Sequence, residues 1–106
     1  MLKVFTVMPF SEALDGIWKA GIEGACQTLG YQVDRADSIN RPGFIVNQIY
    51  DLIADADVII GEMTGANPNV FYEIGFAHAL GKETILLATS RDDLNVFDLA
   101  GRRHFL

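Results

Sequence analysis

At 106 residues, 50% of them apolar and 21% charged, the chain has the size and composition of one globular domain. A formal net charge of −6 and a sequence pI of about 4.6 exclude a nucleic-acid polymer as partner, because no basic face is left for a phosphate backbone; a single nucleotide is not excluded. The single cysteine, Cys26, has no partner for an intramolecular disulfide, and no apolar run approaches the ~18 residues of a membrane span, so a reducing, cytoplasmic setting is expected.

Leu2 to Met8 is a short apolar, β-branched run suited to a strand buried on both faces. It reads as that strand rather than as a signal peptide, which needs a longer apolar region and a cleavage site. Pro9 ends it. Ser11 is placed to cap a helix, in which Leu14, Ile17, Trp18, Ile22, Ala25, Cys26 and Leu29 recur at helical spacing before Gly30 stops it. Tyr31 to Arg35 reads as a second strand and Ala36 to Asn40 as a polar loop.

Arg41-Pro42-Gly43 leads into a second helix carrying Ile45, Ile49, Leu52 and Ile53 on one face. Asp57 introduces a third strand at Val58-Ile59-Ile60, and the loop Gly61 to Asn67 follows. Pro68 suits the first position of a third helix capped by Asn67 and stopped by Gly81-Lys82. Thr84 to Ala88 reads as a fourth strand, Asn95 to Gly101 as a helical turn, and Arg103 to Leu106 as a short fifth strand.

Strands alternating with helices across short loops predict right-handed βαβ units. The expected architecture is a single α/β domain over residues 1–106, a three-layer sandwich with a flavodoxin-like parallel sheet in strand order 2-1-3-4-5. Such sheets bind ligands beyond the carboxyl ends of the strands, where the order reverses between strands 1 and 3. That rule selects Met8, Pro9, Phe10 and Ser11, the segment from Gly61 through Gly65 to Asn69, and nearby Asp37.

Several users of this architecture lack their residues here. There is no GxGxxG after the first strand and no GxxxxGK[ST], so no dinucleotide or P-loop cofactor is expected. Met8-Pro9-Phe10 stands where a phospho-acceptor domain needs acids, and His78 and His104 have no companion ligands for a metal. What remains is carboxylate chemistry. Glu73 is the one charge in the apolar run PNVFYEIGFAHALG, and Glu62 follows the third strand directly. A carboxylate on such a rim can attack an anomeric carbon or stabilise the oxocarbenium charge growing there, with polar contacts from Asn67 and Asn69 and a phenol from Tyr72.

Each residue also has a structural alternative. Glu62 fits a solvated loop acid, Asn67-Pro68-Asn69 a capping turn, and Glu73 a pair with Lys82 or Arg41. Asp57 fits a structural role, His78 a surface or core position, and Phe71, Tyr72 and Phe76 fit core packing.

The run Asn67-Pro68-Asn69-Val70-Phe71-Tyr72-Glu73-Ile74-Gly75-Phe76-Ala77-His78-Ala79-Leu80-Gly81-Lys82 resembles the core motif of the nucleoside 2-deoxyribosyltransferase-like superfamily. Ala56 to Gly65 resembles that family's third strand and loop, and Met8-Pro9-Phe10 the start of its TIR-like branch. The resemblance implies a domain acting on a nucleoside or nucleotide, usually as a homo-oligomer. It implies that Glu73 is the nucleophile that accepts the sugar, supported by Glu62.

Four positions depart from the family pattern. Its acid six residues before the nucleophile is Asn67 here, its Gly-Thr is Asn69-Val70, and its first-strand tyrosine is Phe5. Its second-helix carboxylate corresponds to Asp51 only across a gap. N-glycosidic hydrolysis or transfer therefore stands beside two alternatives: a nucleotide-binding sensor without turnover, and a TIR-like NAD hydrolase.

Overall fold

Four segments of this sequence form parallel strands: β1 (Lys3–Val7), β2 (Gln32–Arg35), β3 (Val58–Glu62) and β4 (Glu83–Leu87). The structure, a computed structural model, describes residues 2–9, 11–35, 46–94 and 104–105. Phe10, Asp37, Arg41 and the expected turn from Asn95 to Gly101 lie outside the described residues. The strands lie in the order β2-β1-β3-β4, as expected. Of the expected fifth strand over Arg103 to Leu106, the structure describes two residues, His104–Phe105, pairing in parallel with Leu86 and Leu87.

The pairing register puts Thr6 opposite Arg35 on one side and Ile60 on the other. Side chains alternate across a strand, so Thr6, Arg35, Ile60 and Glu62 share one face, and Phe5, Val7, Ile59 and Gly61 the other. The first face is covered by a helical segment through Leu14, Trp18 and Ile22, which pack with Met8, Val33, Ile60 and Leu87. The second face meets α2 (Val46–Asp55) and α3 (Pro68–Ala79), where Phe5, Ile53, Ile59, Val70, Ile74 and Leu86 form the larger core. Three layers result.

The first helical segment is not the regular helix its pattern predicts. A 3-10 turn (Glu12–Leu14) is followed by a π-helix (Ile17–Glu23) and then α1 (Gly24–Thr28). The buried residues explain this: Leu14, Trp18, Ile22 and Cys26 recur every fourth position. In an ideal α-helix that spacing drifts by about 40° per step, and the wider π turn brings the series back to one face. Ala25 and Leu29, expected on that face, are exposed.

Gly30 and Gly81, at φ +78° and +72°, end their helices in the left-handed conformation that glycine adopts without strain. Both ends are Schellman motifs: Tyr31 N–H donates to Cys26 O, and Lys82 N–H to Ala77 O. Gly61 has a different reason. A Cβ there would lie 2.6 Å from Ile74 Cδ1, so its absence lets α3 settle onto β3. The Lys82 ammonium donates to Ala54 O and Ala56 O at 2.6 and 2.9 Å, satisfying carbonyls at the end of α2.

Candidate functional site

Asn67 enters the fold as the cap of α3. Its backbone is extended, and its side-chain oxygen accepts from Asn69 N–H at 2.9 Å and Val70 N–H at 3.4 Å. Pro68, which has no N–H to satisfy, takes the first helical position. Before the cap, Gly65 (φ +82°) and Ala66 (φ +52°) are both left-handed, and Ala66 N–H closes a turn onto Met63 O. A non-glycine residue at positive φ is uncommon and is held there by the surrounding packing.

This cap and turn set where Glu73 lies, about 8 Å along the helix axis from Pro68 at ~1.5 Å per residue. That is beyond the first turn, so the dipole at the helix N-terminus does little for its charge. Val70, Phe71, Ile74 and Ala77 fill the inward face, and Glu73 is half-buried beside them. Its Oε2 is fully buried and has no hydrogen-bond partner among the described residues. Burial pushes the carboxyl up from 4.5 to about 7. Lys82 is committed to α2, so the expected alternative of a Glu73–Lys82 pair is not the arrangement found.

Tyr50 of α2 comes close to this carboxyl. Its phenol is pushed up to about 12, first by a hydrogen bond with Tyr72, then by burial, and further by the charges of Tyr72 and Glu73. The Tyr50 ring lies 4.6 Å from Phe76 and 6.2 Å from Tyr72, centroid to centroid. Of the two readings of Tyr72, core packing is not the arrangement found: it is 68% exposed, because it stands on the side of α3 away from the sheet. Sequence reasoning missed Tyr50, whose apolar neighbours made the helix read simply as amphipathic.

Glu62 is neither a loop residue nor a solvated acid. It closes β3, only 2% exposed, and its Oε1 accepts from Thr64 N–H at 2.8 Å and from the Thr64 hydroxyl. The Thr64 hydroxyl in turn meets Thr89, whose N–H donates to it at 3.1 Å. The carboxylate thus ties the β3–α3 loop to the segment after β4. By strand alternation Glu62 stands on the face opposite the α3 layer, so the two carboxylates belong to different layers of the sandwich.

The remaining expected positions divide. β1 and β3 are adjacent, so Met8, Pro9 and Ser11 lie at the same carboxyl edge of the sheet as Gly65, Asn67 and Asn69. Met8 is buried with Leu14 and Trp18, whereas Ser11, Gly65 and Asn69 are exposed. Ser11 caps the 3-10 turn, accepting from Ala13 N–H at 3.3 Å. Arg35, which sequence reasoning did not select, reaches this edge as well: its Nη1 lies 3.7 Å from Met8 Sδ and its guanidinium 4.7 Å from the Trp18 ring centroid. A basic residue closing a short strand carries no sequence signal of such a contact.

Other candidates have structural duties. Asp57 accepts from Lys3 N–H at 2.8 Å, and His78 Nε2 lies 3.0 Å from the Thr84 hydroxyl. Burial pushes the Cys26 thiol up, away from the reactive thiolate. Among the described residues no cluster of three His, Cys, Asp or Glu could hold a metal ion, and no helix is long and apolar enough to cross a membrane.

No protein-family model and no curated protein matches the sequence. Solved structures do resemble it. A 2-deoxyribosyltransferase from Leishmania mexicana has a TM-score of 0.70 at 17% identity, covering 85% of this chain and 66% of its own. A 2-deoxyribosyltransferase from Bacillus psychrosaccharolyticus gives 0.69 at 19%, covering 98% of this chain and 99% of its own. A CMP N-glycosidase from Clostridium botulinum gives 0.61 at 24%, covering 97% and 87%. The chain thus shares the fold of nucleoside 2-deoxyribosyltransferase-like proteins, the family its motifs resemble. It spans just under two thirds of the Leishmania protein.

Proposed function

We propose that this domain cleaves or transfers the N-glycosidic bond of a nucleoside or nucleotide, with Glu73 as nucleophile. The observation that carries the reading is the Glu73 carboxyl, half-buried on an otherwise apolar helix, with an Oε2 unpartnered among the described residues. A group kept at such a cost to stability, and shifted by burial, has the marks of a functional residue. The fold likeness to two deoxyribosyltransferases and an N-glycosidase supports the same class of chemistry.

In this reading the Glu73 carboxylate attacks the anomeric carbon. The bond to the base nitrogen breaks with its electron pair leaving on the base, which takes up a proton from solvent. Water, or a second base, then attacks the same carbon and returns the carboxylate. Glu62 is a supporting residue, acting through the loop it holds. Tyr50 orients and polarises the Glu73 site from α2, and the segment Met8 to Ser11 with Gly65, Asn67, Asn69 and Asp37 binds the substrate. The reading carries a homo-oligomeric assembly, checked by sedimentation.

One observation favours binding without turnover as a second reading. The Asn67 side-chain oxygen is used on backbone N–H groups, and an amide offers no transferable proton to a departing base. Incubation with nucleosides, nucleotides and NAD, following free base, separates the readings. Base release that Glu73→Gln abolishes supports the nucleophile. Full activity in that variant, or no base from any substrate at high enzyme concentration, rejects it. Preference for NAD would instead indicate the TIR-like reaction.

A further inference from the structure

We infer that Tyr72 is the general acid of this site: its phenol hands a proton to the departing base, and Tyr50 stabilises the phenolate left behind. The inference rests on the glycosidic-bond reading above and assigns the proton that reading draws from solvent.

A base whose bond to the sugar breaks carries away the electron pair, so a proton delivered to its nitrogen lowers the barrier. Neither carboxylate is placed to give one. Glu73 must be ionised to attack, and Glu62 is 2% exposed, engaged by Thr64 and on the other face of the sheet. The Asn67 amide has no proton to transfer. A phenol has one, and tyrosine is among the residues that serve as general acids.

Tyr72 directly precedes Glu73 on α3. Its Cα lies about 3.8 Å from that of Glu73, and the two side chains leave the helix about 100° apart. Phe76 stands between them, about 40° round the helix from Tyr72 and about 60° from Glu73. The Tyr50 ring sits 4.6 Å from Phe76 and 6.2 Å from Tyr72, so α2 places a second phenol beside both nucleophile and acid. Nothing lies within 4 Å of where a Cβ on Gly75, one turn on from the exposed Tyr72, would stand. A substrate can therefore reach the Tyr72 hydroxyl.

The hydrogen bond between the two phenols gives each a separate duty. Together with burial and the charges of Tyr72 and Glu73 it pushes Tyr50 up to about 12, so Tyr50 keeps its proton and donates it to the Tyr72 oxygen. Tyr72 and Glu73, both on α3, are the titratable neighbours that act on Tyr50. The Tyr72 proton remains available. As Glu73 attacks the anomeric carbon, the C–N electron pair passes to the base nitrogen and the Tyr72 proton follows it, giving neutral base, glycosyl-enzyme and Tyr72 phenolate. Water then attacks the same carbon, gives its proton to the phenolate and frees the Glu73 carboxylate.

A leaving group that departs as a stable anion needs no acid, which provides the test. Tyr72 is exposed, so Tyr72→Phe disturbs no packing. It should lower base release from the best nucleoside or nucleotide about 10²- to 10⁴-fold, yet lower release of 4-nitrophenolate from the 4-nitrophenyl glycoside of the same sugar by less than about tenfold. Tyr50→Phe should show the same selectivity in smaller measure, and Glu73→Gln should stop both reactions. Without substrate, spectrophotometric titration of the three tyrosines should show one phenol at about 12 that moves down in Tyr72→Phe. Equal losses on both substrates in Tyr72→Phe, or a phenol that stays at about 12 in that variant, overturns the role of Tyr72 and leaves Glu73 standing. Full activity in Glu73→Gln, beside a Tyr72→Phe loss confined to the nucleoside, does the reverse. No release from either substrate overturns both.

Discussion

Replacing Glu73 by Gln should inactivate the domain and stabilise it, in a pH-dependent way. The unfolded chain titrates this carboxyl near 4.5 and the folded one at about 7. Between those values the native state holds more protons than the unfolded state, so wild-type stability falls as pH rises through the window. Below about 4.5 both forms are protonated and the penalty vanishes; above 7 it is fully present. The difference corresponds to roughly 3 kcal/mol at most, at ~1.4 kcal/mol per tenfold. Part of the side chain still reaches water, which reduces the expectation to about 2 kcal/mol.

For a domain of this size that is a gain of roughly 10 °C in melting temperature above pH 8. Thermal melts of both proteins at pH 4 and pH 8.5, with base release measured alongside, test it. The burial argument would be refuted by a melting difference that is the same at both pH values. In the wild type, base release should rise through pH 7 as Glu73 ionises; a rate flat from pH 6 to 8 under limiting substrate tells against Glu73 as nucleophile.

Asn67→Asp should keep the α3 cap, since Asp caps as well as Asn, with unchanged or slightly raised stability; if the amide limits proton handling, base release rises. A drop in melting temperature would show that the cap needs the amide. Gly61→Ala sets a methyl group 2.6 Å from Ile74 Cδ1 and should destabilise by about 1–3 kcal/mol in chemical denaturation. Adding Ile74→Val should recover part of that loss, and strictly additive effects would contradict the contact. Thr64→Val leaves a Glu62 oxygen buried without its hydroxyl donor and should cost about 1–3 kcal/mol, with faster hydrogen exchange in the β3–α3 loop. Exchange unchanged there would mean that the loop does not depend on this tie.

Local signals were enough for much of the chain. Gly30 and Gly81 stop their helices through backbone geometry that few other residues adopt, and Asn67-Pro68 starts α3 through a donor satisfied and a donor removed. These effects act within a few residues. The buried series Leu14, Trp18, Ile22 and Cys26 was visible too, but not that keeping it on one face requires a π turn. Of the two readings of Glu62, the solvated loop acid fails, because its burial depends on Thr64 and on Thr89, which comes from a different loop.

The sequence by itself determined the strand order, the layers and the isolation of one carboxylate in an apolar helix, because periodicity, capping and short connections are written locally. Tertiary structure alone decided the environments of the charged groups. Burial and long-range neighbours leave Glu73 Oε2 without a partner among the described residues, bring Tyr50 beside it, tie Glu62 into a loop, and carry Arg35 across to Met8 and Trp18. A charge takes its energy from everything within several ångströms, and those neighbours come from parts of the chain that only folding brings together.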